Sequence, residues 1–149
     1  MVRQHMAQRS RTPRPVARRH GDDRPLLSRS LFHRLTHDEV WHFYGGDPLR
    51  LVLLQPDGAD DEVVLGPDLH AGQRVQYVIP AGTWQAGELM PGGSWALFGC
   101  TMAPGFTGTC FEGGRRDDLL RSHPARRADI KPLGVPDDHE TAMPDGFAT

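Results

Sequence analysis

Aromatic residues are missing from the first thirty positions, although ten of the chain's eleven lie between Phe32 and Phe111. A segment without large apolar side chains cannot offset its ordering entropy by burial. Residues 1–29 are therefore expected to form a disordered arm. Acid is scarce there as well: eight arginines face only Asp22 and Asp23, a net charge of +6 against -8 for the remainder. The arm has no apolar stretch of signal-peptide length, and Pro13 and Pro15 break any amphipathic helix of the transit-peptide kind. Scattered arginines give weak, salt-sensitive attraction to polyanions, so no nucleic-acid partner is expected. No run approaches the ~20 apolar residues of a membrane helix, and no membrane partner is expected either. Cysteine is reduced to Cys100 and Cys110, which excludes a disulfide framework and a paired-cysteine metal motif. Cys100, inside Trp95-Ala-Leu-Phe-Gly-Cys-Thr-Met, is expected to act as a small buried hydrophobe. Few cysteines without a signal peptide fit a cytoplasmic protein.

What is present from Ser30 onward is a series of short apolar runs with turn residues between them. The runs are 31–35, 40–44, 49–55, 62–65, 74–79, 83–89 and 95–103, separated by stretches such as Gly45-Gly46-Asp47-Pro48, Pro56-Asp57-Gly58 and Pro80-Ala81-Gly82. Seven short strands at this spacing predict an all-β sandwich or barrel, not a βαβ repeat. Alternation puts Glu39, Trp41 and Phe43 on one face of their strand and Val40, His42 and Tyr44 on the other. The strand after Trp95 is apolar on both faces and is expected to be central, covered by another sheet or subunit. After Phe111 the pattern changes to a short helix over 115–121 and a further turn over 128–133. The Pro- and Asp-rich residues 134–149 are expected to form a loose tail.

Two segments carry a family resemblance: Phe32 to Gly46, with Asp38-Glu-Val-Trp-His-Phe-Tyr-Gly-Gly-Asp-Pro-Leu49 at its centre, and Gly72 to Ala86, with Pro80-Ala-Gly-Thr-Trp-Gln-Ala-Gly87. Together with Ala96-Leu-Phe-Gly-Cys-Thr-Met-Ala-Pro-Gly-Phe106 they resemble the cupin superfamily, and more narrowly its subfamily known as domain of unknown function 985. The resemblance implies a double-stranded β-helix (jelly-roll) barrel over 30–133, with a short C-terminal helix. It also implies a homodimer, here by sheet packing that buries at least ~1,000 Å². Members of the subfamily usually begin with a helix and a strand bearing a His-Pro-Glu-Gly-Gly-like segment. Residues 1–30 hold nothing similar, so either an incomplete member with a foreign start or a chain that has lost those strands is expected, with an open sheet edge unless another subunit covers it.

Metal-binding cupins supply two histidines and a glutamate from the first motif and a third histidine from the second. Here His33 and Glu39 resemble the first histidine and the glutamate, while Leu35 and Gln85 stand at the remaining two places. One imidazole, one carboxylate and one amide make a poor transition-metal cage, so no metal ligands are assigned. His42 lies on the face opposite Glu39, and His37 lies in a turn. The preferred reading is a small-molecule site in the barrel, with sugar- or metabolite-like ligands and proton transfer of an epimerase or isomerase kind. His33 is the base and Glu39 the carboxylate that orients it, and Gln85, Trp41 and Trp95 contact the ligand. The alternatives are a non-catalytic dimeric binding module and a metal-dependent oxygenase or isomerase. Core packing is the plain alternative for each tryptophan, and a satisfied core histidine or a turn-capping carboxylate for His33 and Glu39. No Gly-x-Ser-x-Gly elbow and no phosphate loop is present.

Overall fold

The computed structural model describes residues 3–6 and 29–143. Most of the expected arm and the end of the expected tail lie outside the described residues. The described chain runs through β1 (Arg3–Met6), β2 (Arg29–Leu35), β3 (Glu39–Gly46), β4 (Leu49–Leu54), β5 (Asp60–Leu65), β6 (Gln76–Ile79), β7 (Trp84–Leu89), β8 (Ala96–Met102) and β9 (Phe111–Gly113). Two short helices follow, α1 (Arg116–Ser122) and α2 (Arg127–Leu133). All seven expected strands form. The strands assemble into two antiparallel sheets, β1-β8-β3-β6 and β5-β4-β7-β2-β9. This is the all-β, jelly-roll architecture that the resemblance implied, followed by two short C-terminal helices.

Two elements were absent from the sequence reading. β1 pairs with β8 from Arg3 opposite Cys100 to Met6 opposite Leu97, on the edge expected to be open. β9 pairs with the other side of β2, His33 opposite Gly113. The tail is also anchored further than expected. Val135 is buried and exchanges backbone hydrogen bonds with Gly114 and Arg116, and the Thr141 carbonyl accepts from Gly113 N–H.

Alternation divides the apolar residues between two cores. Trp41, Phe43, Leu49, Leu51, Leu53, Val63, Leu65, Ile79, Leu89 and Ala96 pack between the sheets, joined by Tyr77, Phe98 and Cys100. The opposite faces of β2, β4 and β7 send Phe32, Val52, Leu54 and Ala86 outward against Leu119, Ile130 and Leu133 of the helices. The five-stranded sheet is thus apolar on both faces because helices cover it. The sequence reading gave that place to the Trp95–Ala103 strand. β8 is indeed interior to its sheet, between β1 and β3, but the helices lie on the other sheet. Ion pairs close the rim of the outer core: Arg50 bonds Glu88 and Asp129, each at 2.7 Å, and Arg126 bonds Asp60 at 2.7 Å.

Candidate functional site

The first motif turns between β2 and β3, and the second turns between β6 and β7. Gly82 takes a φ of +79°, where a side chain would be strained, and so lets Pro80-Ala-Gly82 reverse the chain. Two hydrogen bonds hold this turn against the first motif. Ala81 N–H donates to Asp38 Oδ1 at 2.8 Å, and Gly82 N–H donates to the Leu35 carbonyl at 2.8 Å. The turns being locked together, β7 enters the barrel beside β2 with Gln85 opposite His33. β3 enters the facing sheet with Glu39 first and Trp41 second on its inner side.

These residues meet in the interior. Trp41 Nε1–H points between two acceptors, Gln85 Oε1 at 2.8 Å and Glu39 Oε2 at 3.1 Å. An indole nitrogen only donates, so the amide oxygen of Gln85 must face Trp41 and its NH2 must face away. Gln85 is 1% exposed. The Trp41 ring is wedged flat. It stacks on Phe98 with ring centres 4.8 Å apart and planes 7° from parallel. On its other side Gly87 leaves the space, since a Cβ there would sit 3.3 Å from the ring and 3.2 Å from Leu51.

His33 lies beside this group and stacks on Phe111 at 5.2 Å. Its Nδ1 is 2.9 Å from the Leu31 carbonyl. A carbonyl only accepts, so Nδ1 carries the proton and Nε2 presents a lone pair. Burial lowers the His33 pKa, outweighing the Leu31 hydrogen bond and the Glu39 charge, which both raise it. The imidazole is therefore neutral at pH 7. The Leu31 carbonyl, not Glu39, fixes the ring; Glu39 acts on it through its charge. Cys100, opposite Trp41 in the β3–β8 ladder, also comes close. Burial, and then the neighbouring Glu39 charge, push its thiol well above the ordinary range, so it stays protonated.

The five residues expected at the site therefore divide. His33, Glu39, Trp41 and Gln85 come together in the barrel. Trp95 does not, because it is 50% exposed and lies over Gly45 and Gly46 at the far end of β3. Asp47 holds it there, accepting from Ser94 and Trp95 backbone N–H groups at 2.6 and 3.1 Å. His42 bonds Thr101 on the outer face, as its alternation implied, and His37 bonds its neighbour Thr36 in the turn. Cys100, Phe98 and the Leu31 carbonyl were missed as contributors. Alternation grouped Phe98 with Cys100, but only the ladder with β3 says which face of β8 is inward.

The donor set does not suit a cupin metal. Leu35 is a buried apolar residue, the Gln85 oxygen is taken by Trp41, and among the described residues no three His, Cys, Asp or Glu side chains are placed to share an ion. Also among the described residues, no helix is long and apolar enough to cross a membrane.

Comparison with known proteins follows the same lines. A crystal structure of a protein from Shewanella oneidensis superimposes with a TM-score of 0.68 at 37% identity, over 73% of this chain and 68% of that one. A hypothetical protein from Leishmania major gives 0.66 at 27% identity, over 72% and 69%. Oxalate decarboxylase from Bacillus subtilis gives 0.47 at 11% identity, over 80% of this chain and 32% of that one. No curated protein matches. The family model described as Cupin superfamily (DUF985) matches residues 27–113, and with it the two motifs, the two sheets and the turn that joins them place the chain in that family.

Proposed function

We propose that the barrel interior around His33, Glu39, Trp41 and Gln85 binds a small sugar- or metabolite-like ligand and moves a proton on it, in the manner of an epimerase or isomerase. The observation that carries this reading is the shared Trp41 N–H. It aligns Gln85 and Glu39 beside a neutral histidine whose Nε2 presents a lone pair, inside an otherwise apolar barrel, where burying polar groups is costly. His33 Nε2 takes a proton from a carbon next to a carbonyl, and the C–H electron pair moves to the carbonyl oxygen as an enolate. Gln85 NH2 donates to that oxygen, and Glu39 stabilises the imidazolium that forms. Returning the proton from His33 completes the exchange. The test is solvent-deuterium exchange into a panel of small ketoses and aldoses in D2O, followed by NMR. Exchange at the carbon next to the carbonyl is expected, and His33→Gln should slow it about 100-fold or more. Exchange that survives this substitution would count against the assignment.

A second reading, a homodimeric binding module, draws on the outer face of the four-stranded sheet, where, among the described residues, Tyr44 and Val78 are about half exposed. Sedimentation as a dimer that Tyr44→Lys and Val78→Lys dissociate supports it; a monomer at high micromolar concentration rejects it.

A further inference from the structure

We propose that the open edge of β5 carries a binding site separate from the barrel interior, and that it takes the carboxyl-terminal end of an extended peptide. β5 is the outermost strand of the five-stranded sheet. Beside it lies a cavity of about 590 Å³, lined in part by Asp61, Glu62, Val64, Gly72, Arg74 and Tyr77 and by none of His33, Glu39, Trp41 or Gln85. One residue already shows how this edge is used. Arg74 pairs in parallel with Leu65: its N–H donates to the Val64 carbonyl at 2.9 Å, and its carbonyl accepts from Gly66 N–H at 3.0 Å. The chain before Arg74 does not continue the pairing. A parallel strand would put Gly72 opposite Val63, but Gly72 takes a φ of +80° and donates to the Leu69 carbonyl at 3.1 Å, in a turn.

The place opposite Val63 is thus left to another chain. Val64 and Gly66 bond Arg74 on the side away from β4, so alternation turns the Glu62 backbone to that side as well. The Glu62 N–H is covered, because it donates to Asp61 Oδ1 at 2.8 Å. The Glu62 carbonyl and the Val64 N–H remain, and neither has a backbone partner beyond β4 among the described residues. They are the acceptor and donor that one further residue needs to pair in parallel opposite Val63, as Arg74 does opposite Leu65. Arg74 itself occupies the edge two residues further on, so the added chain must end before it. Charge fits that end. Glu62 is held by Arg50 at 3.1 Å and by Arg126 at 3.4 Å, and Asp61 is turned to the backbone. Arg74 lies over the Tyr77 ring, 5.8 Å from its centre, and makes no ion pair among the described residues. A guanidinium laid on an aromatic face keeps its edge N–H groups for a carboxylate.

The test uses the whole 15N-labelled chain, titrated with N-acetyl-trialanine and with its C-terminal carboxamide. The acid is expected to shift the Val64 amide and Arg74 Nε–H signals, and the carboxamide to bind at least about tenfold more weakly. An ester analogue without the N–H of the last residue cannot donate to the Glu62 carbonyl and should bind at least about fivefold more weakly than the acid. Arg74→Gln keeps the fold, because the pairing with Leu65 is made by backbone, and should bring acid and carboxamide to the same weak affinity. Equal binding of the two by wild type, or a preference for the acid that persists in Arg74→Gln, would overturn the assignment of the carboxylate to Arg74. Acetate that binds as tightly as the acid would reduce the place to a simple anion site and overturn the peptide class. Shifts confined to the Trp41 indole would put the peptide in the barrel, and no shift at millimolar peptide would leave the β5 edge without a ligand; either result overturns the proposal.

Discussion

The two cores of this barrel are built from the same strands and differ in what they tolerate. Outside the five-stranded sheet, Phe32, Val52, Leu54 and Ala86 pack with the helix residues Leu119, Ile130 and Leu133, and charged groups such as Arg50, Glu88 and Asp129 are paired at the rim. Inside the barrel, a core of equal apolarity admits a histidine, a glutamate, a glutamine and a thiol around one indole N–H. A fold that needs only to be stable gains little from burying such a polar cluster there. The inner core carries the polar cluster on which the proposed site rests.

The comparison breaks first where truncation is severe. Phe32→Ala removes a fully buried ring from the outer core and is expected to cost about 3–5 kcal/mol by denaturant unfolding, with ligand binding retained in the folded fraction. Trp41→Phe keeps the packing against Phe98 and deletes the donor that Gln85 and Glu39 share. About 1–3 kcal/mol is expected, together with loss of ligand binding, so here the two readouts move together.

A titration sharpens the same contrast. His33 is neutral in the folded protein because burial lowers its pKa from 6.5. The unfolded chain binds the extra proton first, so this group's contribution is fully present above pH 6.5 and is lost as pH falls toward the folded value. The slope is at most about 1.4 kcal/mol per pH unit. The pH dependence of stability in His33→Phe should be flatter than wild type below about pH 6.5; an unchanged slope would mean that His33 titrates as it does in solvent. The smallest effect belongs to Trp95. Half exposed at the far end of β3, it should cost under about 1 kcal/mol on change to Ala and leave ligand binding untouched, whereas a loss of binding would bring it back into the site.

Much of this was legible in the sequence because period-two alternation is a backbone property. It put Glu39 and Trp41 on one face and His42 on the other before any partner strand was known, and the Gly-Pro punctuation set the strand ends. The motif resemblance paired His33, Glu39 and Gln85. What failed was whatever depends on the third dimension. Trp95 looked like a wall because it opens an apolar strand, but the barrel's length separates it from Glu39. β1 was invisible because Arg3–Met6 has no apolar pattern, its place being set by backbone pairing with β8. The anchoring of the tail depends on Val135 and Thr141 reaching β9, which composition cannot show.

The most direct test is the thermodynamic stability of a triple variant, Glu39→Leu, Gln85→Leu and Trp41→Phe, measured by denaturant unfolding beside wild type. Replacing both sides of a buried polar contact by apolar groups of similar size is close to neutral or stabilising, and sites shaped for function trade stability for activity. The expected result is a folded barrel at least as stable as wild type that no longer binds ligand. A loss of about 3 kcal/mol or more would show that the shared Trp41 hydrogen bond holds the barrel together, and would contradict its assignment to function.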